Sequence, residues 1–531
     1  MVSGLRKMRW EAPAFRLAKE LNKPLLVLGT RSTPLCRQAR DSLAQMAPQN
    51  FVALEVAADE HRDVDLALQS FVRLVNNGQC SWPFHVVLSP QTFRPYLCAT
   101  SLAPNTLPKF LESARETWDT LPVEAESVGT QAVQALEDPG ILPEIDPSFD
   151  IVAHAELQYA ALADQMPRFV MGASLAKFGS ETRGKLLHEI AASGIVDHLN
   201  GGVFRCALSR DWHLPVLHKD IDDQATLLMA ACAQLRTCPQ DKLDPEIVKL
   251  VTGLCQQIKA MLAGGPVAKV LWTYAEFQAA LGDLNLIERD IAASYWGVNE
   301  IGNINDDLQA SSKPVLGDLF AQNVLSRHGD VAEVAKTFGV DPAKVEHIAE
   351  VSRLALAAAQ PGQAPPVPLS VAQRGLVLSA VAQASEFTAA ELPVQLAREL
   401  AESLVEPNHP LSTCSDFAMR IRGVLDYNRH IDADPKWLNL ATEWQDQQNT
   451  LFLDDSYFFG LPSEHVDDHP IRFINPRFWE DGSVPNYQGV SAANLTDLAA
   501  DRPDFADLAH HIRKVGLAKA QQSPLAYLSY V

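Results

Sequence analysis

Apolar positions in the first 120 residues come in short unbroken runs, whereas beyond residue 150 they recur with helical spacing. The runs at 24–28, 51–57 and 84–89 are short and rich enough in β-branched or aromatic residues for buried strands. Helical spacing occupies 34–48 and 63–75 between them and returns near 105–118, giving a β-α-β-α-β-β-α order. Residues 121–150 are acidic and proline-bearing, with Glu137-Asp138-Pro139-Gly140 and Glu144-Ile145-Asp146-Pro147, and read as a linker. Strand signals then almost vanish. Helices are predicted near 151–166, 181–199, 221–235, 244–262, 274–280, 329–337, 342–359, 370–384, 389–403, 412–427, 434–447 and 489–500. No fixed repeat period is visible, so a barrel of helix pairs is favoured over a solenoid. Pro361-Gly362-Gln363-Ala364-Pro365-Pro366-Val367-Pro368 reads as a rigid extended connector.

Length and charge narrow the classes. A chain of 531 residues exceeds what one hydrophobic core usually serves. The division drawn is 1–120 as an α/β domain, 121–150 as linker and 151–531 as an all-α domain. A net charge of −21 argues against a broad nucleic-acid or anionic-membrane surface. No apolar run approaches the roughly 20 residues of a membrane helix. Eight cysteines without paired zinc-ligand spacing favour a reducing compartment. The expectation is a cytoplasmic protein; the basic start, Met1 to Trp10, leaves a mitochondrial presequence as the lesser alternative.

The first candidate chemistry lies after the 23–29 strand. Thr33-Pro34-Leu35-Cys36 stands where a thioredoxin-like fold carries Cys-x-x-Cys, with only the second cysteine present. Cys36 in the first turn of a helix meets unpaired N–H groups and the helix dipole, which lower a thiol pKa. Disulfide exchange between two local thiols needs a partner at Thr33. Trp82-Pro83 before the 84–88 strand sits where that fold places a cis-proline. In that fold the same segment lies against the first helix start, which leaves a Cys36–Cys80 pair geometrically open.

Taken together, Trp10, Lys23-Pro24, Cys36, the Glu60-to-Asp65 run and Trp82-Pro83 resemble the spermatogenesis-associated thioredoxin-domain protein family. The later half adds Gly194 through Arg205, Asp211-Trp212-His213-Leu214-Pro215, Lys219, Asp223-Gln224-Ala225, Gly297, Gly302-Asn303, Gly375-Leu376 and Asp481-Gly482-Ser483-Val484-Pro485. The resemblance implies a multi-domain α/β plus all-α fold, a thioredoxin-like domain followed by an (α/α)6 barrel related to sugar epimerases and six-hairpin glycosidases. Departures are equally informative. The family's Pro-His-Phe-Glu-Lys is Pro215-Val216-Leu217-His218-Lys219 here, its Trp-Asn-Gly-Leu is Gln373-Arg374-Gly375-Leu376, and its Pro-Ser-Gly-Asn is Pro485-Asn486-Tyr487-Gln488. The chain reads as a shortened, diverged member.

His218, Asp222 and Asp223 could supply acid–base groups for a sugar, since 218 and 222 are one helical turn apart. The plainer reading is a solvated acidic helix start. Arg205, Trp212 and Tyr487 are candidate substrate contacts, Trp212 or Tyr487 as stacking face. Arg205 on a buried carboxylate and Trp212 in packing are equally open. The loop of 194–225 should end one helix, turn at Gly201-Gly202 and start the next, with Arg205 and Trp212 inward. Asp454 to Gly460 lacks EF-hand spacing and reads as a β-hairpin. No metal or cofactor is expected. Three functions stay open: a binding or regulatory protein with a degenerate redox motif, for a carbohydrate, small-molecule or protein partner; a carbohydrate epimerase or isomerase working at the barrel mouth; and a single-cysteine redox enzyme using Cys36. A filled barrel and a buried Cys36 favour the first.

Overall fold

The computed structural model describes residues 10, 12–31, 34–46, 49–58, 61–76, 80–100, 102–137, 144–327, 330–360, 362–388, 391–405, 413–453 and 479–531. The chain divides into two compact units. One comprises 1–143 with 410–417 and 444–478; the other comprises 144–409, 418–443 and 479–531.

The first unit is built on four strands, β1 (Leu25–Thr30), β2 (Val52–Ala57), β3 (Phe84–Leu88) and β4 (Pro95–Thr100), in the order β2-β1-β3-β4. β1 pairs parallel with β2 and antiparallel with β3, and β3 pairs antiparallel with β4. Helices α1 (Ala12–Leu21), α2 (Pro34–Met46), α3 (Arg62–Val75), α4 (Leu107–Thr120) and α5 (Pro122–Glu137) accompany them. This is the thioredoxin-like order expected. β1 and β3 are buried throughout because apolar clusters cover both faces of the sheet. On one face Phe15, Leu68 and Phe71 pack against Val27 and Val86; on the other Leu111 and Trp118 meet Leu28 and Val87. Gly29 is required here: a Cβ would stand 2.1 Å from the Phe84 ring. The Trp82–Pro83 bond is cis, as expected, and so is Met166–Pro167.

One expectation is corrected. The start of the 121–150 stretch is the helix α5, which buries Ala125, Ala132 and Val133 on the thioredoxin-like unit. Its contact face is made of small residues, and Gly129 lies so close to Arg94 that a Cβ would fall 2.7 Å from that residue's Cβ. A small-residue face carries little hydrophobic amplitude, so the sequence reads as linker although the backbone packs.

The second unit is mostly helical: α6 (Ile151–Ala161), α7 (Gly172–Leu175), α8 (Ser180–Ala192), α9 (Ile221–Leu235), α10 (Pro245–Ala263), α11 (Tyr274–Ala280), α12 (Leu286–Trp296), α13 (Asp306–Leu316), α14 (Val331–Phe338), α15 (Pro342–Ala358), α16 (Val371–Ala384), α17 (Leu392–Val405), α18 (Cys414–His430), α19 (Pro435–Phe452), α20 (Tyr487–Leu498) and α21 (Pro503–Ala520). α18 and α19 each contribute residues to both units. Asp caps begin α6, α9, α10, α14 and α15 where the sequence placed helix starts.

α9, α16, α18 and α20 form a row of parallel helices. Gln373 Nε2 donates to Asp222 Oδ1 (3.3 Å) at the starts of α16 and α9, and Arg236 Nη1 donates to Gln383 Oε1 (3.0 Å) at their ends. Gly375 and Gly423 let α16 and α18 meet backbone to backbone, since a Cβ on Gly375 would lie 2.3 Å from Met419 O. Asn494 Nδ2 donates to Ala418 O (2.8 Å), joining α20 to α18. These helices are buried nearly all round, so each is covered by neighbours on most of its faces. The helices of 274–358 do not come between α9 and α16; α12, α14 and α15 share a separate apolar cluster around Trp296, Val334 and Ile348. The expected hairpin at Asp454–Gly460 lies outside the described residues.

Candidate functional site

Cys36 sits in the third position of α2, fully buried, with its Sγ accepting a hydrogen bond from the Arg31 N–H (3.3 Å). The Arg31 guanidinium lies 4.7 Å from the centre of the Trp82 ring. Trp82 Nε1 donates to Asp65 Oδ1 (2.9 Å), whose Oδ2 accepts from Gln69 Nε2 (2.6 Å). The cis-proline segment is thus pinned to α3 by a buried carboxylate. Thr33 lies outside the described residues. Cys36 and Cys80 are both free thiols. Burial pushes the Cys80 thiol up to about 12, far from thiolate chemistry at neutral pH.

In the second unit, the segment from Ser193 to Asp220 links α8 to α9, as expected. Gly201 and Gly202 hold φ of +83° and +82°, and a Cβ on Gly201 would stand 2.4 Å from Gly253 O. The centre of this loop is Lys219. Its Nζ donates to Asp197 Oδ2 (2.8 Å), Gly201 O (2.8 Å) and Gln257 Oε1 (2.7 Å). All three ammonium protons are therefore used. Burial draws the Lys219 pKa down, opposed by the Asp197 charge. Against the same burial, Lys219 and the bonds from Asn200 hold the Asp197 carboxyl below its ordinary value. Asp197 Oδ1 also accepts from Leu199 N and Asn200 N (both 3.0 Å), which ties the turn.

The structure brings Arg205, Asp220 and Asp223 together: Arg205 Nη1 is 2.7 Å from Asp220 Oδ2 and 3.6 Å from Asp223 Oδ2. Asp220 also caps α9 through Asp222 N (3.1 Å). Asp222 has no exposed surface and meets Gln373. Trp212 is 1% exposed, adopts φ +62°, and carries the Arg168 guanidinium 3.9 Å from its ring centre. His218 is half-buried, and its carbonyl accepts from Arg205 N (2.9 Å). Tyr487, half-buried, is the first residue of α20. Before it, Asp481 accepts from Asn486 N and Ser529 N (both 2.8 Å), and Asn486 Oδ1 accepts from Tyr530 OH (3.1 Å). The 481–486 loop is thereby engaged by the chain's own residues.

Sequence reasoning did not find Lys219 as the anchor. Its partners Asp197 and Gln257 are distant along the chain; the one signal was a lone lysine between the apolar 214–217 run and the acidic 220–223 run. It also missed an open cleft between α6, α8 and the start of α13. Among the described residues there is no cluster of three His, Cys, Asp or Glu side chains suited to a metal ion. None of the described helices is long and apolar enough to cross a membrane.

The family "Thioredox_DsbH: Protein of unknown function, DUF255" matches residues 4–137, the part that holds Cys36 and the cis-proline. Spermatogenesis-associated protein 20 of Rattus norvegicus is 24% identical over 92% of this chain and 72% of its own length. The Homo sapiens protein of the same name is 24% identical over 92% of this chain and 73% of its own. An uncharacterized protein of Caenorhabditis elegans is 22% identical, again over 92% of this chain, and over 77% of its own. These comparisons support the resemblance to the spermatogenesis-associated thioredoxin-domain family. The similarity extends beyond the first unit, since the matched 92% far exceeds residues 4–137.

Proposed function

We propose that the chain is a binding or regulatory protein with weak or no ordinary disulfide reductase activity. The observation that carries the reading is Cys36, the only cysteine of its four-residue motif and fully buried. Reduction of a disulfide by a local dithiol requires a thiolate to attack and a second thiol to release the mixed disulfide. A threonine at position 33 supplies neither. The same burial weighs against a single-cysteine enzyme, because such a thiol must meet its oxidant.

The helical unit supports binding over sugar chemistry. A general acid–base pair must reach the proton it transfers, yet Asp222 has no exposed surface and Asp223 faces Arg205. Trp212, covered by Arg168, offers no free face for a sugar ring. In our reading the unit is an incomplete (α/α)6 barrel, with four of its hairpins formed by α9, α16, α18 and α20 inside and α10, α17, α19 and α21 as return helices. Direct packing of α9 on α16 narrows the interior that an open barrel would keep for substrate.

The test is insulin reduction with dithiothreitol as the terminal reductant. The wild-type protein is expected to stay at the uncatalysed background, and Thr33→Cys, which restores a dithiol, to raise the rate at least about tenfold. Adding Cys36→Ser to that variant should return it to background. Wild-type turnover that Cys36→Ser abolishes would overturn the reading.

A further inference from the structure

We propose that the cleft between α6, α8 and the start of α13 is a docking site for an extended, positively charged peptide segment of a partner protein. The inference rests on the binding reading above and gives it a location and a partner chemistry.

The cleft has a volume of about 1260 Å³, larger than the roughly 300–1,000 Å³ of small-molecule pockets. Its apolar floor includes Ala160, Met166, Leu186, Leu208 and Leu308. Its lining carries five carboxylates against three cations. Those cations are largely answered within the wall. Arg210 pairs with Asp164 (3.1 Å), which is not part of the lining. Arg168 stacks on Trp212 and donates to Arg210 O (2.5 Å). Lys185 lies four residues from both Glu181 and Glu189 on α8, the spacing at which helix neighbours interact. With Lys185 set against one of its two α8 neighbours, the other glutamate, Asp211 and Asp307 remain as an exposed acidic rim. The charge of −21 on the whole chain adds attraction at longer range for a basic partner.

One further observation favours a ligand with main-chain polar groups. The far wall is preformed: His213 Nε2 lies 3.2 Å from Asn303 Oδ1, while Asn303 Nδ2 donates to Gly297 O (2.9 Å) and Val324 O (2.8 Å). A preformed wall lowers the ordering cost of docking. A neutral polyhydroxyl ligand would leave the rim charges without a counterpart and would find no exposed aromatic face on Tyr159, which lines the cleft at 5% exposure.

The test is fluorescence anisotropy with a labelled peptide of about 12 residues, roughly 40 Å when extended, alternating Leu or Ala with Lys or Arg. Binding is expected at low ionic strength and should weaken as salt rises. Glu189→Lys with Asp307→Lys should weaken it at least about tenfold. Glu112→Lys, on the thioredoxin-like unit, should leave it unchanged; thermal melts check that each variant folds, with Glu181→Gln as the milder substitute. Four results overturn the proposal: no binding of the basic peptide, equal binding by the double reversal, equal loss with Glu112→Lys, or equal affinity for a Glu-for-Lys/Arg peptide. Saturable binding of a neutral oligosaccharide that excludes the peptide also overturns it. Insulin turnover by the wild-type protein would instead sink the binding reading itself, so the two failures are distinguishable.

Discussion

Cys36, buried, and Lys219, whose side chain is 11% exposed, both lie close to helix starts, and their surroundings could hardly differ more. Cys36 accepts the main-chain N–H of Arg31 on its sulfur. A thiol is a weak hydrogen-bonding group that behaves as a small hydrophobe, so burial asks little of its neighbours. Lys219 takes a carboxylate, a main-chain oxygen and a side-chain amide, one for each proton. A buried ammonium without them would carry a desolvation cost of several kcal/mol. A buried thiol can serve as packing, whereas the loop around Lys219 is bound to its partners.

Four substitutions test that contrast. The largest effect should come from Lys219→Met, which strands the Asp197 charge and should cost about 3–5 kcal/mol in urea unfolding. Adding Asp197→Asn should recover part of it, because the stranded charge is then gone. A loss under about 1 kcal/mol for the single variant would show that Lys219 is not the anchor.

His85 adds a third kind of burial, 1% exposed with neither ring nitrogen bonded among the described residues. Burial lowers its pKa from 6.5 to about 4, so the folded protein holds it neutral while the unfolded chain takes a proton. Stability should be intact above pH 6.5 and be lost as pH falls toward 4. The total is about 3 kcal/mol at 1.36 kcal/mol per pKa unit. Urea midpoints between pH 7.5 and 4 should show this slope in the wild-type protein and a shallower one in His85→Leu. An unchanged slope would mean that His85 is not the titrating group.

The smallest effect belongs to Cys36→Ala, about 1 kcal/mol for one buried sulfur. A loss like that of Lys219→Met would erase the contrast.

Much of this was legible beforehand. The runs at 24–28, 51–57 and 84–89 are strands because unbroken β-branched and aromatic segments need cover on both faces, and the helix at 221–235 starts where Asp220 can cap it. α5 was lost because Ala125, Gly129 and Ala132 make a contact face with almost no hydrophobic contrast. α13 was lost because Ser311, Ser312 and Pro314 interrupt its periodicity. At the candidate site the loop, its glycines and the ion pair of Arg205 were readable from local sequence. Burial of Asp222 and Trp212 was not, since Gln373 and Arg168 arrive from elsewhere in the chain. Nor was the direct contact of α9 with α16, which skips more than one hundred intervening residues.

The three bonds on Lys219 give the segment from Ser193 to Asp220 an unusual character. Connecting segments generally open at low free energy, and proteases nick them there. Here one ammonium ties the turn at Asp197, the glycine bend at Gly201 and the flank of α10 at Gln257 to the entrance of α9. Pulling any of them out exposes a charge pair in an apolar setting, so small fluctuations are returned before they spread. In hydrogen exchange this stretch should therefore keep pace with the helices on either side of it, a loop by its backbone and a core by its kinetics.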